Sequence, residues 1–392
     1  MRSTFSPVRP FLAILGLILL SSCAHTMGVR PAPEFFDAID FEFTQGIPIE
    51  QAVEAVRTEG LTEDEINTAQ VYKANYRAVL NVMSLHAYRT RFGSTFPDSG
   101  LGSGFIIKSD GTVVTNYHVV RDAQQVIVTL YDGSRYPAKI IGYDIEMDLA
   151  VIRFDPLGRR LTTIAFGDSS LLQVGEKALA FGNPFGLEGT LTTGIVSALK
   201  RPLKMQSGFI MSDLVQTDAP INPGNSGGPL LNSRGELIGV NTLIISPSAG
   251  SSGIGLAISS NTVNRIVSQL SVSGRVNRGW LDIEGIALNA RLAKAAGMSI
   301  TEGLLITRII PGGNADVAGL KDGSTGRHIR YGMHRIPVEG DIIVGFNGSR
   351  VTGVAELFAL LETTRPDQVV TLSIVSNGIT RSVELSLSER PQ

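Results

Sequence analysis

Three short segments bring together residue types that can do chemistry. His118 follows an apolar run in Val114-Thr115-Asn116-Tyr117-His118-Val119-Val120. Asp148 opens an apolar strand in Glu146-Met147-Asp148-Leu149-Ala150-Val151-Ile152. Ser226 sits in the Gly-rich stretch Asn222-Pro223-Gly224-Asn225-Ser226-Gly227-Gly228-Pro229-Leu230. A serine hydroxyl is a weak nucleophile until a base takes its proton. An imidazole does so near neutral pH, which makes His118 the candidate base. A buried carboxylate, Asp148, would fix the imidazole tautomer and stabilise the imidazolium. An oxyanion needs fixed donors, and the backbone N–H groups of the Gly224, Asn225, Ser226 loop would supply them. Taken singly, each residue has a plainer reading: a surface histidine, a turn aspartate, a structural loop. Together, in this order, they form a nucleophile, a base and an orienting acid.

The elements that must hold these residues are short and β-branched. Gly104 to Ile107, Gln125 to Leu130, Asp148 to Phe154 and Lys177 to Phe181 alternate with Asp110-Gly111, Asp132-Gly133 and Arg234-Gly235 turns. Many short strands with such turns imply an all-β barrel or sandwich. The order His, Asp, Ser within it matches a double barrel. An α/β-hydrolase would place its serine first, within Gly-x-Ser-x-Gly, and Gly-Asn-Ser-Gly-Gly misses that pattern by one step. Asn261 to Leu270 reads as a closing helix, with Val263, Ile266, Val267 and Leu270 on one face. A polar connector, 271–278, leads to a second unit at 279–389 that mixes strands with helices near Ala290–Ala296 and Ala355–Leu361.

The 392 residues suffice for two domains with full cores. The single cysteine excludes a disulfide framework and any multi-cysteine metal site. A net charge near -2 argues against nucleic acid as a partner.

The amino terminus reads as an export signal. Arg2 and Arg9 precede an apolar run from Phe11 to Leu20, followed by Ser21-Ser22-Cys23. The run is too short to span a bilayer stably. It resembles a bacterial lipoprotein signal, 1–22, with Cys23 as the lipidated residue and Ala24 after it. That resemblance implies a membrane contact through a lipid anchor in the cell envelope, at the outer membrane facing the periplasm. Residues 31–70 carry ten acidic residues against Arg57 alone, interleaved with Phe35, Phe36, Phe41 and Phe43. Thr62 and Glu65 fit a capping box ahead of a helix to about Tyr72. The arm, 23–75, is either a tether or a segment that packs on another subunit.

Residues 76–389 resemble the HtrA/Deg family. The resemblance rests on Gly102-Ser103-Gly104-Phe105-Ile106, Thr115-Asn116-Tyr117-His118-Val119-Val120, Asp148-Leu149-Ala150-Val151, Gly182-Asn183-Pro184-Phe185-Gly186, Thr193-Gly194-Ile195-Val196-Ser197, Gln216-Thr217-Asp218-Ala219 and the serine loop. It implies a mainly β fold: a trypsin-like double six-stranded β-barrel protease domain at 76–270, then an α+β PDZ domain. The implied activity is serine endopeptidase chemistry on unfolded or exposed polypeptide, with no cofactor and no metal. Ile221 is the implied lining of an apolar pocket for small aliphatic side chains. The loops Phe181–Gly189 and Ser246–Ser252 would switch between inactive and active arrangements. The implied assembly is a homotrimer.

The second unit would read C-terminal peptide tails through a carboxylate-binding loop, here Trp280-Leu281-Asp282-Ile283 after Arg278-Gly279. Asp282 stands where the family commonly has glycine, and either repels a carboxylate or faces solvent. A further departure is 324–340, an insertion with Arg327, His328, Arg330, His334 and Arg335 opposed only by Glu339. It reads as a solvated surface loop or as a basic contact for an acidic partner, lipid headgroups or a neighbour's arm. A chaperone or PDZ-based adaptor with little proteolysis remains the alternative function.

Overall fold

The computed structural model describes residues 58–89, 95–184, 189–204, 210–222, 224–244 and 253–390. Cys23, the apolar leader and most of the acidic arm lie outside the described residues, as do most of the two loops expected to switch. The arm's end is helix α1 (Glu63–Asn75). Its start follows the capping chemistry: Thr62 Oγ1 accepts from the Glu65 N–H at 3.3 Å, and the Glu65 carboxylate accepts from the Thr62 N–H at 2.7 Å.

Six strands follow: β1 (Val79–Arg89), β2 (Thr95–Ile106), β3 (Thr112–Thr115), β4 (Gln125–Thr129), β5 (Arg135–Asp144) and β6 (Leu149–Phe154). They close into an antiparallel barrel in the order β1-β2-β3-β6-β5-β4. A single helical turn, α2 (Tyr117–Val120), joins β3 to β4 and carries His118. Strand β6 explains how the barrel is placed. Ala150, Ile152 and Phe154 point into the barrel's own core, with Leu80, Val113 and Val128. Leu149 and Val151, on the other face, enter the core shared with the second barrel. A strand buried on both faces has to be apolar nearly throughout, and only Arg153 breaks the run.

The second barrel consists of β7 (Lys177–Gly182), β8 (Thr190–Lys204), β9 (Ile210–Thr217), β10 (Pro229–Leu231), β11 (Leu237–Ile244) and β12 (Gly255–Ser259). It closes in the order β10-β11-β12-β9-β8-β7. Helix α3 (Ser260–Ser273) lays Val263, Ile266, Val267 and Leu270 into the shared core against Leu149, Val240 and Ile258. That 3.6-residue spacing is the one the sequence pattern implies. Lys177 of β7 holds α1 to this barrel, donating to Asp64 Oδ1 at 2.8 Å and Thr68 Oγ1 at 2.6 Å.

The C-terminal unit contains β13 (Gly279–Trp280), β14 (Ile283–Ala287), α4 (Ala290–Ala296), β15 (Leu304–Ile309), α5 (Asn314–Val317), β16 (His328–Tyr331), β17 (His334–Pro337), β18 (Ile342–Phe346), β19 (Ser349–Arg350), α6 (Val354–Leu361), β20 (Val369–Ser376), β21 (Ile379–Ser386) and β22 (Ser388–Glu389). The main sheet runs β14-β15-β18-β20-β21, with β19 on β18, and β22 pairs back onto β13. This α+β arrangement is consistent with a PDZ domain.

Residues 324–340 differ from the expected loop. They form the hairpin β16–β17, in register His328↔Pro337 through Tyr331↔His334. Ile329, Tyr331 and Ile336 pack with Leu292 and Leu305, while Arg330 and Arg335 stand exposed on the other side. The reason is a period-2 alternation around the two-residue turn Gly332-Met333, which the density of charge conceals in the sequence.

Candidate active site

The site lies in the seam between the barrels. From the first barrel, the turn between β5 and β6 supplies Asp148, whose backbone has φ +52°. That left-handed conformation is uncommon for a residue with a Cβ, though aspartate tolerates it better than most. It turns both the carbonyl and the carboxylate of Asp148 towards α2. The carbonyl accepts from Asn116 Nδ2 at 2.8 Å and from the Tyr117 N–H at 3.1 Å. The carboxylate accepts from the His118 N–H at 2.9 Å (Oδ1) and from His118 Nδ1 at 2.7 Å (Oδ2). Strand β11 of the second barrel adds Thr242, whose hydroxyl donates to the same Oδ2 at 2.8 Å.

These bonds set the chemistry of the imidazole. With Nδ1–H donated to Asp148, Nε2 of the neutral ring carries the lone pair. The Asp148 side chain is 9% exposed and that of His118 is 43% exposed, so a buried carboxylate orients an imidazole that opens to solvent. Among the described residues, no hydrogen bond joins Ser226 to His118. In ligand-free sites such bonds are often long and tighten when substrate arrives.

The serine loop is held from three sides. The Gly227 N–H donates to Asn241 O at 2.8 Å, the Gly228 N–H to Asn225 O at 2.9 Å, and the Ser103 N–H to Ser226 O at 2.9 Å. Gly224 has φ +102°, and a Cβ there would lie 2.1 Å from Pro184 Cβ. Gly227 has φ +83°, and its Cβ would lie 2.2 Å from Ser103 O. Both positions therefore require glycine.

The N–H groups of the loop divide into two kinds. Of the three residues assigned to the oxyanion hole, Asn225 departs from expectation. Its N–H is donated to Asn222 O at 2.9 Å, because the loop closes a tight turn there. The N–H groups of Gly224 and Ser226 have no acceptor among the described residues. Two donors flanking one internally bonded peptide are left to face a third atom.

Ile221 is 1% exposed and packs with Ala219, Val215 and Ala257 in the second barrel's core. A Cβ on Gly255 would come 2.6 Å from Ile221 Cγ1, so β12 lies directly against it.

The Trp280–Ile283 loop is placed between β13 and β14. Leu281 is buried. Trp280 stacks near Phe358 of α6 at 5.6 Å, with the Arg390 guanidinium 4.5 Å from its ring centre. Asp282 is half-buried. Its carboxylate accepts from the Asn314 N–H at 2.9 Å and from Ser388 Oγ at 3.0 Å. The side chain is tied to α5 and β22 of its own unit.

Sequence reasoning missed Thr242 and Asn116, which hold Asp148, and it assigned no role to Ser103 or Asn81. Asn81 Nδ2 donates to Asn183 O at 3.1 Å and Pro184 O at 3.2 Å, bridging the barrels. The available signal was a polar residue inside an apolar strand run, as in Val240-Asn241-Thr242-Leu243.

Residues 102–240 match the family model described as a trypsin-like peptidase domain. The chain is 37% identical over 390 residues to Protease Do-like 1, chloroplastic, of Arabidopsis thaliana, covering 99% of this chain and 83% of that protein. It is 41% identical over 307 residues to the periplasmic pH-dependent serine endoprotease DegQ of Escherichia coli, covering 76% of this chain and 63% of that one. A probable periplasmic serine endoprotease of Chlamydia pneumoniae is 40% identical over 291 residues, and the chain spans 55% of its length. Among solved structures, the HtrA-type protease AlgW with a decapeptide superposes with TM-score 0.68 at 30% identity, covering 83% of this chain and 99% of that one. With a double barrel, a His118–Asp148 pair, a serine in a glycine-held loop, and this likeness along nearly its whole length, the chain belongs to the HtrA/Do-like family of trypsin-like serine endopeptidases.

Proposed function

We propose that Ser226 is the nucleophile, His118 the general base and Asp148 the residue that orients it. Ser226 Oγ attacks the scissile carbonyl carbon while its proton passes to His118 Nε2. The oxyanion forms against the Gly224 and Ser226 N–H groups. Collapse breaks the C–N bond, and His118 gives the proton to the leaving amine. Water then attacks the acyl-enzyme, with His118 again as base, and releases the carboxylate and free Ser226. The observation that carries this reading is the two-point grip of Asp148 on His118, which leaves Nε2 as the acceptor of the neutral ring.

The substrate class rests on the family likeness and on an exposed His118; Ile221, 1% exposed in the barrel core, would back an apolar pocket rather than stand open in it. Such a pocket separates side chains differing by a methylene by only about 1–3 kcal/mol. The enzyme is therefore broad in sequence and selective for unfolded or exposed chain in the cell envelope. The C-terminal unit presents peptide tails or regulates the site, lipid at Cys23 anchors the chain, and three copies assemble.

The test is casein digestion by residues 24–392, wild type beside Ser226→Ala, with a fluorophosphonate probe read by intact mass. Cleavage and labelling that both disappear in the variant support the assignment. Cleavage that survives Ser226→Ala overturns it. Labelling without cleavage means a competent site kept closed, and points to activation by a peptide ligand or by assembly.

A further inference from the structure

The peptide unit between Gly224 and Asn225 lies between the two N–H groups left to hold the oxyanion. It is fixed at both ends. Its N–H goes to Asn222 O within the loop, and its carbonyl goes across the seam to Ser103 Oγ at 2.5 Å. Ser103 belongs to β2 of the first barrel and is fully buried. Its hydroxyl is used in both directions, because it also accepts the Asn183 N–H at 2.7 Å. A hydroxyl has one proton to give. With Asn183 donating into its lone pair, that proton is committed to Gly224 O. The rest of the residue is equally committed: its N–H to Ser226 O at 2.9 Å, and its carbonyl to Thr115 Oγ1 at 2.7 Å.

We propose that Ser103 is a positioning residue for the oxyanion site, its hydroxyl transmitting the frame of the first barrel to the peptide plane that aims the Gly224 and Ser226 N–H groups. This rests on Ser226 being the nucleophile. The bond reaches both halves of the donor pair. The Gly224 N–H belongs to the preceding peptide plane and the Ser226 N–H to the following one, so a 224/225 plane held at both ends restricts the dihedrals at Gly224 and Asn225 that set how the two N–H groups lie relative to each other. The Asn183 contact ties the same oxygen to the 181–184 strand end, where Pro184 packs on Gly224. Removal of the hydroxyl takes its donor from the half-buried Gly224 carbonyl and leaves the buried Asn183 N–H without its acceptor.

The experiment compares Ser103→Ala, Ser103→Thr and Ser103→Cys with wild type on a fluorogenic peptide. Affinity for a peptide boronate, which mimics the tetrahedral adduct, is measured alongside. Loss of a well-placed oxyanion contact costs about 100-fold or more in kcat, so loss of its support is expected to cost Ser103→Ala about 10-fold or more. KM should stay within about twofold, because the contact acts in the transition state rather than on bound substrate. Boronate affinity should fall in step with kcat. Ser103→Thr keeps the hydroxyl and should recover most of the loss, and Ser103→Cys, a weaker donor, should fall between. If Ser103→Ala does not fold, the Cys and Thr pair carries the same comparison. A Ser103→Ala or Ser103→Cys enzyme with wild-type kcat and boronate affinity overturns the inference. So does a loss that Ser103→Thr shares in full, which would mark a packing role. Failure of the underlying reading looks different: the wild type itself would neither bind boronate nor take the fluorophosphonate.

Discussion

Arg278 and Asp144, 134 residues apart, form a two-point ion pair at 3.1 Å and 2.5 Å with each side chain 5% exposed. Arg278 lies just before the C-terminal unit, and Asp144 ends β5 of the first barrel. The same guanidinium holds Glu362, at the end of α6, at 2.7 Å. Four residues beyond Asp144 stands Asp148, so the turn that presents the carboxylate held by His118 is also the turn that receives the second unit.

Removal of one partner from a buried pair leaves the other charge unpaired, which typically costs about 3–5 kcal/mol. Arg278→Met is expected to separate the melting of the C-terminal unit from that of the barrels. Calorimetry should show two transitions where wild type shows closer coupling. An unchanged thermogram would mean that apolar contacts such as Phe358 against the shared barrel core suffice to couple the units.

Glu146, in the same turn, is half-buried, and its carboxyl is pushed up to about 7, desolvation outweighing the attraction of Arg390 and Arg278, with Glu362 and Asp144 adding repulsion. In the unfolded chain it titrates near 4.5. Between those values the folded protein binds the proton that the unfolded chain has lost. Its contribution to stability is therefore complete below pH 4.5 and is lost as pH rises through about 7. The loss amounts to about 3 kcal/mol at most. The difference in urea midpoint between wild type and Glu146→Gln, followed from pH 4.5 to 8, should carry this slope. A pH-independent difference would place Glu146 as a permanent carboxylate.

Thr242 Oγ1 gives Asp148 its only bond from the second barrel among the described residues. Thr242→Val keeps the shape and deletes that donor. We expect kcat to fall by about tenfold with KM nearly unchanged, since orientation of His118 matters in proton transfer. A raised KM with kcat unchanged would put Thr242 in substrate binding instead.

Ile221 tests the pocket. Ile221→Ala should shift cleavage towards larger apolar side chains, by about tenfold in relative kcat/KM, the scale of one or two methylenes in such a pocket. Mass-spectrometric mapping of cleavage sites in casein reads this directly. An unchanged profile would place the specificity wall elsewhere.

Residue pattern alone was enough for the strand-rich barrels, the closing helix and the choice of His118, Asp148 and Ser226 as the candidate trio. Each of these is local: β-branched runs between Gly turns, apolar residues at helical spacing, a serine in a loop that only glycines can turn. Helix α1 was legible for the same reason, through Thr62 and Glu65. What only the tertiary structure decided involves groups distant in sequence. Ser103 and Gly224 are 121 residues apart, and Thr242 and Asp148 are 94 apart. No periodicity encodes such pairs, because a buried polar group is satisfied by whatever donor or acceptor the packing brings to it. Backbone bonding likewise removed Asn225 from the oxyanion donors and tied Asp282 to Asn314 and Ser388. The hairpin at 328–337 was written in alternation but masked by its charges. Local preference sets the elements, while the geometry between barrels decides which hydrogen bonds remain open for chemistry.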